Sequence, residues 1–223
     1  MCTLDGCGSH EHLGPPPKAT DEQRRLFLKG AVALPLAIVL ADPVLAHAQG
    51  AMLDKVTITT PEGAKMVAEI AMPATLPAPT IILIHEWWGL NDHIRAVAAE
   101  YAKQGYIALA VDLYGEPPAT TPDGARALMS GMDPVAATRK LQSSVEFLKN
   151  HKVSTGKVGS VGWCFGGGWS LNTALATDVD AAVIYYGNVN KTPEQVATLN
   201  APLMGHFGKL DKSINKEMVE GFE

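Results

Sequence analysis

The sequence predicts one α/β domain, a mostly parallel sheet with helices on both faces, preceded by a segment that stands outside the fold. Three observations predict it. Short β-branched runs alternate with helically spaced runs between residues 55 and 207. One run, Thr80–His85 (T-I-I-L-I-H), is apolar almost without a break, as a strand buried on both faces requires. Between these runs no linker divides the chain, so a second domain has nothing to support it. The 223 residues suffice for a sizeable core, and 47% hydrophobic against 18% charged residues exclude a disordered tail or a coiled coil. Eighteen Lys and Arg against 23 Asp and Glu leave a net charge of -5, the wrong sign for a nucleic-acid partner. Three cysteines are too few for a disulfide scaffold.

Residues 1–48 read as an export leader, the alternative for the apolar stretch being a buried core helix. Arg24 and Arg25 precede an apolar stretch, Ala31 to Leu40, which runs on to a small-x-small site at Ala46-His47-Ala48. Pro35, Asp42 and Pro43 interrupt it, and a bilayer span needs about 20 apolar residues, so no stable membrane span is expected. Arg24-Arg25-x-Phe27-Leu28-Lys29 resembles the twin-arginine signal, with Gln23 where Ser or Thr is commoner. That resemblance implies the twin-arginine export machinery as a partner, cleavage after Ala48 and a periplasmic protein. Cys2, Cys7, His10 and His12 have the chemistry of metal ligands, but their spacing matches no common zinc pattern, and they would leave with the leader.

From residue 49 the elements follow in order. Lys55–Thr60 and Met66–Met72 alternate like half-buried strands and are joined by a P-E-G-A-K turn. After Thr80–His85, Asn91–Gln104 places Ile94, Val97, Ala98 and Tyr101 on one helical face, with Gly105 to end it. Tyr106–Val111 is a strand; Ala125–Gly131 and Pro134–Asn150 are helices, the second capped by Asp133 with Pro134 in its first turn. Strand Lys157–Gly162, helix Gly166–Ala176, and strands Ala181–Tyr186 and Ala201–Phe207 complete the pattern.

The motif that carries chemistry is Gly162-Trp163-Cys164-Phe165-Gly166, a G-x-C-x-G between a strand and a helix. A sharp strand-to-helix turn strains its central residue, and glycines on either side let the backbones pass. The side chain then stands at the C-terminal edge of the sheet, where open α/β folds bind ligands. A sulfur at a helix N-terminus is also biased toward thiolate. The Phe165 N–H can face the oxyanion of an ester undergoing attack, and Trp87, in H-E-W-W-G-L-N, is placed to give the second N–H. Glu86 aims a carboxylate at the same cleft. Asp211, just past the strand Ala201–Phe207, occupies the place of an acid that orients a histidine. Trp88, Tyr186 and Arg126 are candidates to line the substrate pocket.

With these residues in view, the chain resembles the dienelactone hydrolase (carboxymethylenebutenolidase) family of α/β-hydrolases. The resemblance rests on H-E-W-W-G-L-N, V-D-L-Y-G (111–115), K-V-G-S-V-G-W-C-F-G-G (157–167), Y-Y-G (185–187) and H-F-G-K-L-D (206–211). It implies Cys164 as nucleophile, Asp211 as triad acid, and Glu86 as the group that contacts the resting thiol and helps to generate thiolate. The implied reaction is hydrolysis of an enol-lactone or small ester through an acyl-cysteine, without metal or organic cofactor.

The family's histidine follows the aspartate. Here twelve residues follow Asp211 and none is histidine. The expectation is therefore a truncated sequence, with the histidine and the last strand and helix beyond Glu223. His85 sits on the oxyanion side, His206 lies on the strand before Asp211, and His93 and His151 read as exposed helix residues. Two rivals follow: a catalytically impaired small-molecule-binding protein on the same fold, and a thiol redox enzyme. The second would want a resolving cysteine, which residues 49–223 do not supply.

Overall fold

A computed structural model describes residues 17–223 and the backbone of 2–3 and 6–7. The latter form two short antiparallel strands, β1 (Cys2–Thr3) and β2 (Gly6–Cys7); His10 and His12 of the candidate metal cluster lie outside the described residues. Then come helices α1 (Asp21–Leu28), α2 (Leu36–Leu40) and α3 (Pro43–Gly50), and strands β3 (Asp54–Thr59), β4 (Lys65–Ala71) and β5 (Ala78–Ile84). Helix α4 (Asp92–Lys103), strand β6 (Ile107–Val111) and helices α5 (Pro122–Gly131) and α6 (Pro134–Lys149) follow. Strand β7 (Ser154–Trp163), helix α7 (Phe165–Ala176), strand β8 (Ala181–Tyr185), helix α8 (Pro193–Val196), strand β9 (Leu203–His206) and helix α9 (Lys216–Glu220) end the chain.

Seven strands form one sheet in the order β3-β4-β6-β5-β7-β8-β9. The β3–β4 and β4–β6 pairs are antiparallel and the other four parallel. The central β5 is buried on both faces, as its unbroken apolar run predicts. Ile82 and Ile84 pack under α6 and α7 with Leu109, Leu141 and Leu148, while Ile81 and Leu83 pack on the α4 side with Ile94 and Ala98. Asn91 caps α4 by accepting from the Ile94 N–H, and Asp133 caps α6 by accepting from the Val135 N–H. Gly105 follows α4 with φ +94°, the left-handed stop that the sequence pattern calls for. Helix α5 starts three residues earlier than the apolar spacing suggests, because the Thr121 hydroxyl accepts from the Gly124 N–H and Pro122 opens the first turn.

Residues 36–50 pack on α4. Val39 and Leu45 are fully buried. The Gln49 side-chain amide donates to the Ala96 carbonyl at 3.0 Å and its oxygen accepts from Lys103 at 3.2 Å, while His47 Nδ1 lies 2.8 Å from Asp92. The end of the apolar run that reads as a leader thus forms α2, with Val39 buried, and α3 follows it with Leu45 buried. Among the described residues no helix is long and apolar enough to cross a membrane.

Candidate active site

The parallel strands end on one edge of the sheet, and their C-terminal ends carry the chemistry. β5 runs into His85-Glu86-Trp87, β7 into Cys164, and β9 toward Asp211. Cys164 sits between β7 and α7 with φ +55° and ψ −119°, the strained conformation that the elbow requires. Backbone packing explains the flanking glycines. A methyl on Gly162 would meet the Gly166 carbonyl, and one on Gly166 would meet the carbonyls of Ile84 and His85.

Cys164 is a half-buried free thiol. Its position at a helix N-terminus favours thiolate, and the neighbouring Phe165 N–H pulls its pKa down. Burial outweighs this, and the nearby Glu86 and Asp211 carboxylates add to it, so the thiol is pushed up to about 11. At rest it is a thiol, and the helix terminus alone does not ionise it. Glu86 is itself 5% exposed, and burial raises its carboxyl to about 7. The two groups are poised so that ionising either one opposes ionising the other.

A cavity of about 1,020 Å³ opens beside the sulfur. Trp87, Cys164, Phe165, Tyr186 and Asp211 line it, so the structure brings together five of the residues singled out from sequence. The Asp211 Oδ1 accepts from the backbone N–H groups of Ser213 and Ile214, which fixes its loop. Tyr186 has φ +40°, and burial first, then the Glu86 and Cys164 charges, keeps its hydroxyl protonated. Tyr114 donates to the Trp87 carbonyl at 3.2 Å and tilts against Phe165, bracing the wall opposite.

Two lining candidates need correction. Trp88 is 2% exposed and does not line the cavity: in the turn beyond β5 it is the ring that packs inward, edge to face against Trp87. Arg126 lies on the surface of α5, 2.8 Å from Asp123, its partner one turn back, and does not reach the cavity. His93 and His151 are half-buried rather than exposed: His93 borders a separate apolar cavity, and His151 packs edge-on against Phe147. His206 is exposed and stacks on Tyr185 at 4.5 Å.

His85 has a settled structural role. The Leu113 N–H donates to its Nε2 at 3.2 Å, so Nε2 is the unprotonated nitrogen and Nδ1 donates to the Glu86 carbonyl at 2.6 Å. Burial keeps the ring neutral, and both nitrogens are committed. Sequence reasoning missed Gly168, Trp169, Asn172 and Lys191, which also line the cavity. The signal was present in part: Cys164, Gly168 and Asn172 fall at i, i+4 and i+8, one face of α7.

A strained turn between a parallel strand and a helix, with its thiol on the carboxyl edge of the sheet, defines an α/β-hydrolase-like fold. Residues 66–223 match the model of the dienelactone hydrolase family, and the chain belongs to that family. A carboxymethylenebutenolidase of Pseudomonas putida is 30% identical over 185 residues, covering 77% of this chain and 78% of its own. The protein named usf of Aquifex pyrophilus is 34% identical over 168 residues, covering 70% and 71%. Among solved structures, a "putative dienelactone hydrolase" of Klebsiella pneumoniae superposes with a TM-score of 0.66 at 26% identity, covering 76% of this chain and 78% of that one. The family assignment makes the protein an ester or lactone hydrolase.

Proposed function

We propose that the protein hydrolyses an enol-lactone or small ester through a Cys164 acyl-enzyme. One observation carries the reading: a free thiol on a strained strand-to-helix turn, at the N-terminus of α7, shares a cavity with Asp211 and lies close to the Glu86 carboxylate. In the step proposed, the sulfur attacks the carbonyl carbon as its proton passes to Glu86. The carbonyl oxygen gathers charge against the backbone N–H groups of Phe165 and Trp87. The carbonyl then re-forms, the ester C–O bond breaks, and the alkoxide takes the proton back. Water later splits the thioester to the acid and the free thiol. A carboxyl near 7 suits this transfer, since it can accept and return a proton around neutrality.

The test is mass spectrometry of the intact protein and of its peptides after mixing with p-nitrophenyl acetate. An acetyl adduct on the peptide containing Cys164, absent in Cys164→Ala, is the expected result. Ester hydrolysis that survives Cys164→Ala overturns the mechanism. A second reading, binding with impaired turnover, is favoured by one observation: among the described residues no histidine lines the cavity. A stoichiometric adduct that never turns over supports that reading, and a burst followed by steady release supports the first.

Export through the twin-arginine machinery to the periplasm, with cleavage after Ala48, remains part of the proposal. The Arg24-Arg25 pair before an apolar stretch supports it. The Ala48–Gln49 bond lies within α3, with Gln49 2% exposed, so cleavage would have to come before α3 docks or after it comes loose. N-terminal sequencing of protein from the native cell checks this. A start at Gln49 supports the leader, and a start at Met1 in the mature protein removes it.

A further inference from the structure

We propose that a second cavity, which Glu86 borders and Cys164 does not, is a binding site for an uncharged planar molecule of about two fused rings. This cavity measures about 330 Å³ and lies between α2, α4 and the carboxyl ends of β7 and β8. Leu36 and Leu40, one turn apart on α2, wall it on one side, and Val97 and Tyr101 of α4 wall it on another. An apolar cavity of about 150 Å³ takes one benzene ring, so this one has room for about two. Its aromatic wall is already formed. Trp163, Tyr185 and His206 are paired across β7, β8 and β9, and their rings stack in a ladder, 5.7 Å apart and 8° from parallel, then 4.5 Å apart and 10° from parallel. Trp163 and Tyr185 both face the cavity, and rings held in this way need no reordering to receive a flat ligand.

The polar groups of the lining decide the ligand's charge. Among the described residues no Lys or Arg lines the cavity, so an anion would lose its hydration with nothing to replace it. Glu100 is already engaged: Lys103 stands 3.2 Å from its Oε2, and the Gln104 amide donates to its Oε1 at 3.3 Å. Burial keeps His93 neutral, and the Glu86 carboxyl, raised to about 7, is mostly protonated in mild acid. A cation therefore finds no charge to meet there, and an uncharged molecule suits the walls best. Its place matters for the thiol. Tyr186 lines both cavities, and Glu86, which borders this one, is among the groups that push Cys164 up. A molecule bound here lies against Glu86 without taking the space beside the sulfur, as an effector does and a substrate does not.

Calorimetric titration of the full chain at pH 6 with 2-acetylnaphthalene, and with 2-naphthoate as its anionic counterpart of similar shape, tests this without needing turnover. The expected result is saturable binding of 2-acetylnaphthalene, one per chain, at least about tenfold tighter than 2-naphthoate. Val97→Phe fills the cavity and should weaken binding about tenfold or more. Leu40→Ala trims the α2 wall, leaves the sheet core untouched and should weaken it about fivefold, so the test stands even if Val97→Phe fails to fold. Carboxamidomethylation of Cys164 with iodoacetamide occupies the space beside the sulfur and should change binding by less than about twofold. Loss of binding on that modification, or binding unchanged in Leu40→Ala, puts the ligand elsewhere and overturns the proposal. Equal affinity for the two compounds, or no saturable binding, overturns it as well. None of these outcomes depends on whether Cys164 cleaves esters, so the two proposals stand or fall separately.

Discussion

The two loops that carry Cys164 and Asp211 meet at one cavity but are held by opposite means. The Cys164 turn is locked by backbone against backbone: its flanking glycines touch main-chain carbonyls of β5 and α7, and no side-chain adjustment could make room. The Asp211 loop rests on hydrogen bonds, from the Ser213 and Ile214 N–H groups to its carboxylate and from its own N–H to the Gly208 carbonyl. Its neighbours Gly208, Lys209 and Leu210 are exposed, Leu210 at 89%. The difference teaches where precision is stored. Strain at the nucleophile is imposed by the sheet itself, whereas the acid is placed by a local turn that the rest of the fold barely constrains.

A matched pair of glycine substitutions is the sharpest way to break that contrast. Gly166→Ala drives a methyl into two backbone carbonyls and should cost about 3 kcal/mol or more, enough to impair folding. Gly208→Ala meets the Asp211 Cβ at 3.9 Å, an ordinary contact, and should change stability by no more than about 0.5 kcal/mol. Urea midpoints of the two variants against the parent check this. Similar losses for both would mean that the acid loop is as tightly built as the elbow.

Much of the elbow was legible because its rules are local. Glycines at fixed offsets, a cysteine between them and a strand-to-helix switch leave little freedom, and φ at Cys164 came out positive as such a turn demands. What stayed illegible depends on partners distant in sequence. Trp87 and Trp88 are the same residue type side by side, and only the packed structure tells which ring faces the cavity. The apolar run from Ala31 to Leu40 has one composition whether it serves a leader or a docked helix, so composition alone does not decide between them. Lys191 is held at the cavity by Asn172, nineteen positions away, on a different element. The thiol's resting state was likewise hidden, since burial reverses what the helix terminus alone would do.

Glu86 gives the next largest effect and ties the elbow to pH. Its carboxyl is raised by burial to about 7 from an ordinary 4.5, so the folded state holds a proton that the unfolded state releases earlier. Stability from this group is complete below about pH 4.5 and falls as pH rises through 7, by roughly 3 kcal/mol in all. His85, kept neutral by burial, acts in the opposite sense as pH falls. The informative quantity is therefore the difference between parent and Glu86→Gln, in which the His85 contribution cancels. Urea midpoints at pH 5 and pH 8 should show Glu86→Gln gaining on the parent at the higher pH. A constant difference across that range would mean that Glu86 is ionised throughout.

The smallest effect belongs to Asp211, and it separates what the acid does for its loop from what it does for the sulfur. Asp211→Asn keeps an oxygen for the Ser213 and Ile214 N–H groups and removes the charge, so the loss in stability should be about 1 kcal/mol or less. The thiol should respond in the other direction. The Asp211 carboxylate is one of the groups that push Cys164 up, behind burial and Glu86, so its removal should lower the pH at which Cys164 becomes reactive. Alkylation rates followed from pH 7 to 10 would show the curve moving to lower pH in Asp211→Asn and further still in Glu86→Gln. That ranking is the decisive feature, because a loop held only by hydrogen bonds could drift when its charge is removed. An unshifted curve in Asp211→Asn would mean that the loop keeps its carboxylate too far from the sulfur to act on it, and the two halves of the site would then be neighbours in space without being coupled in charge.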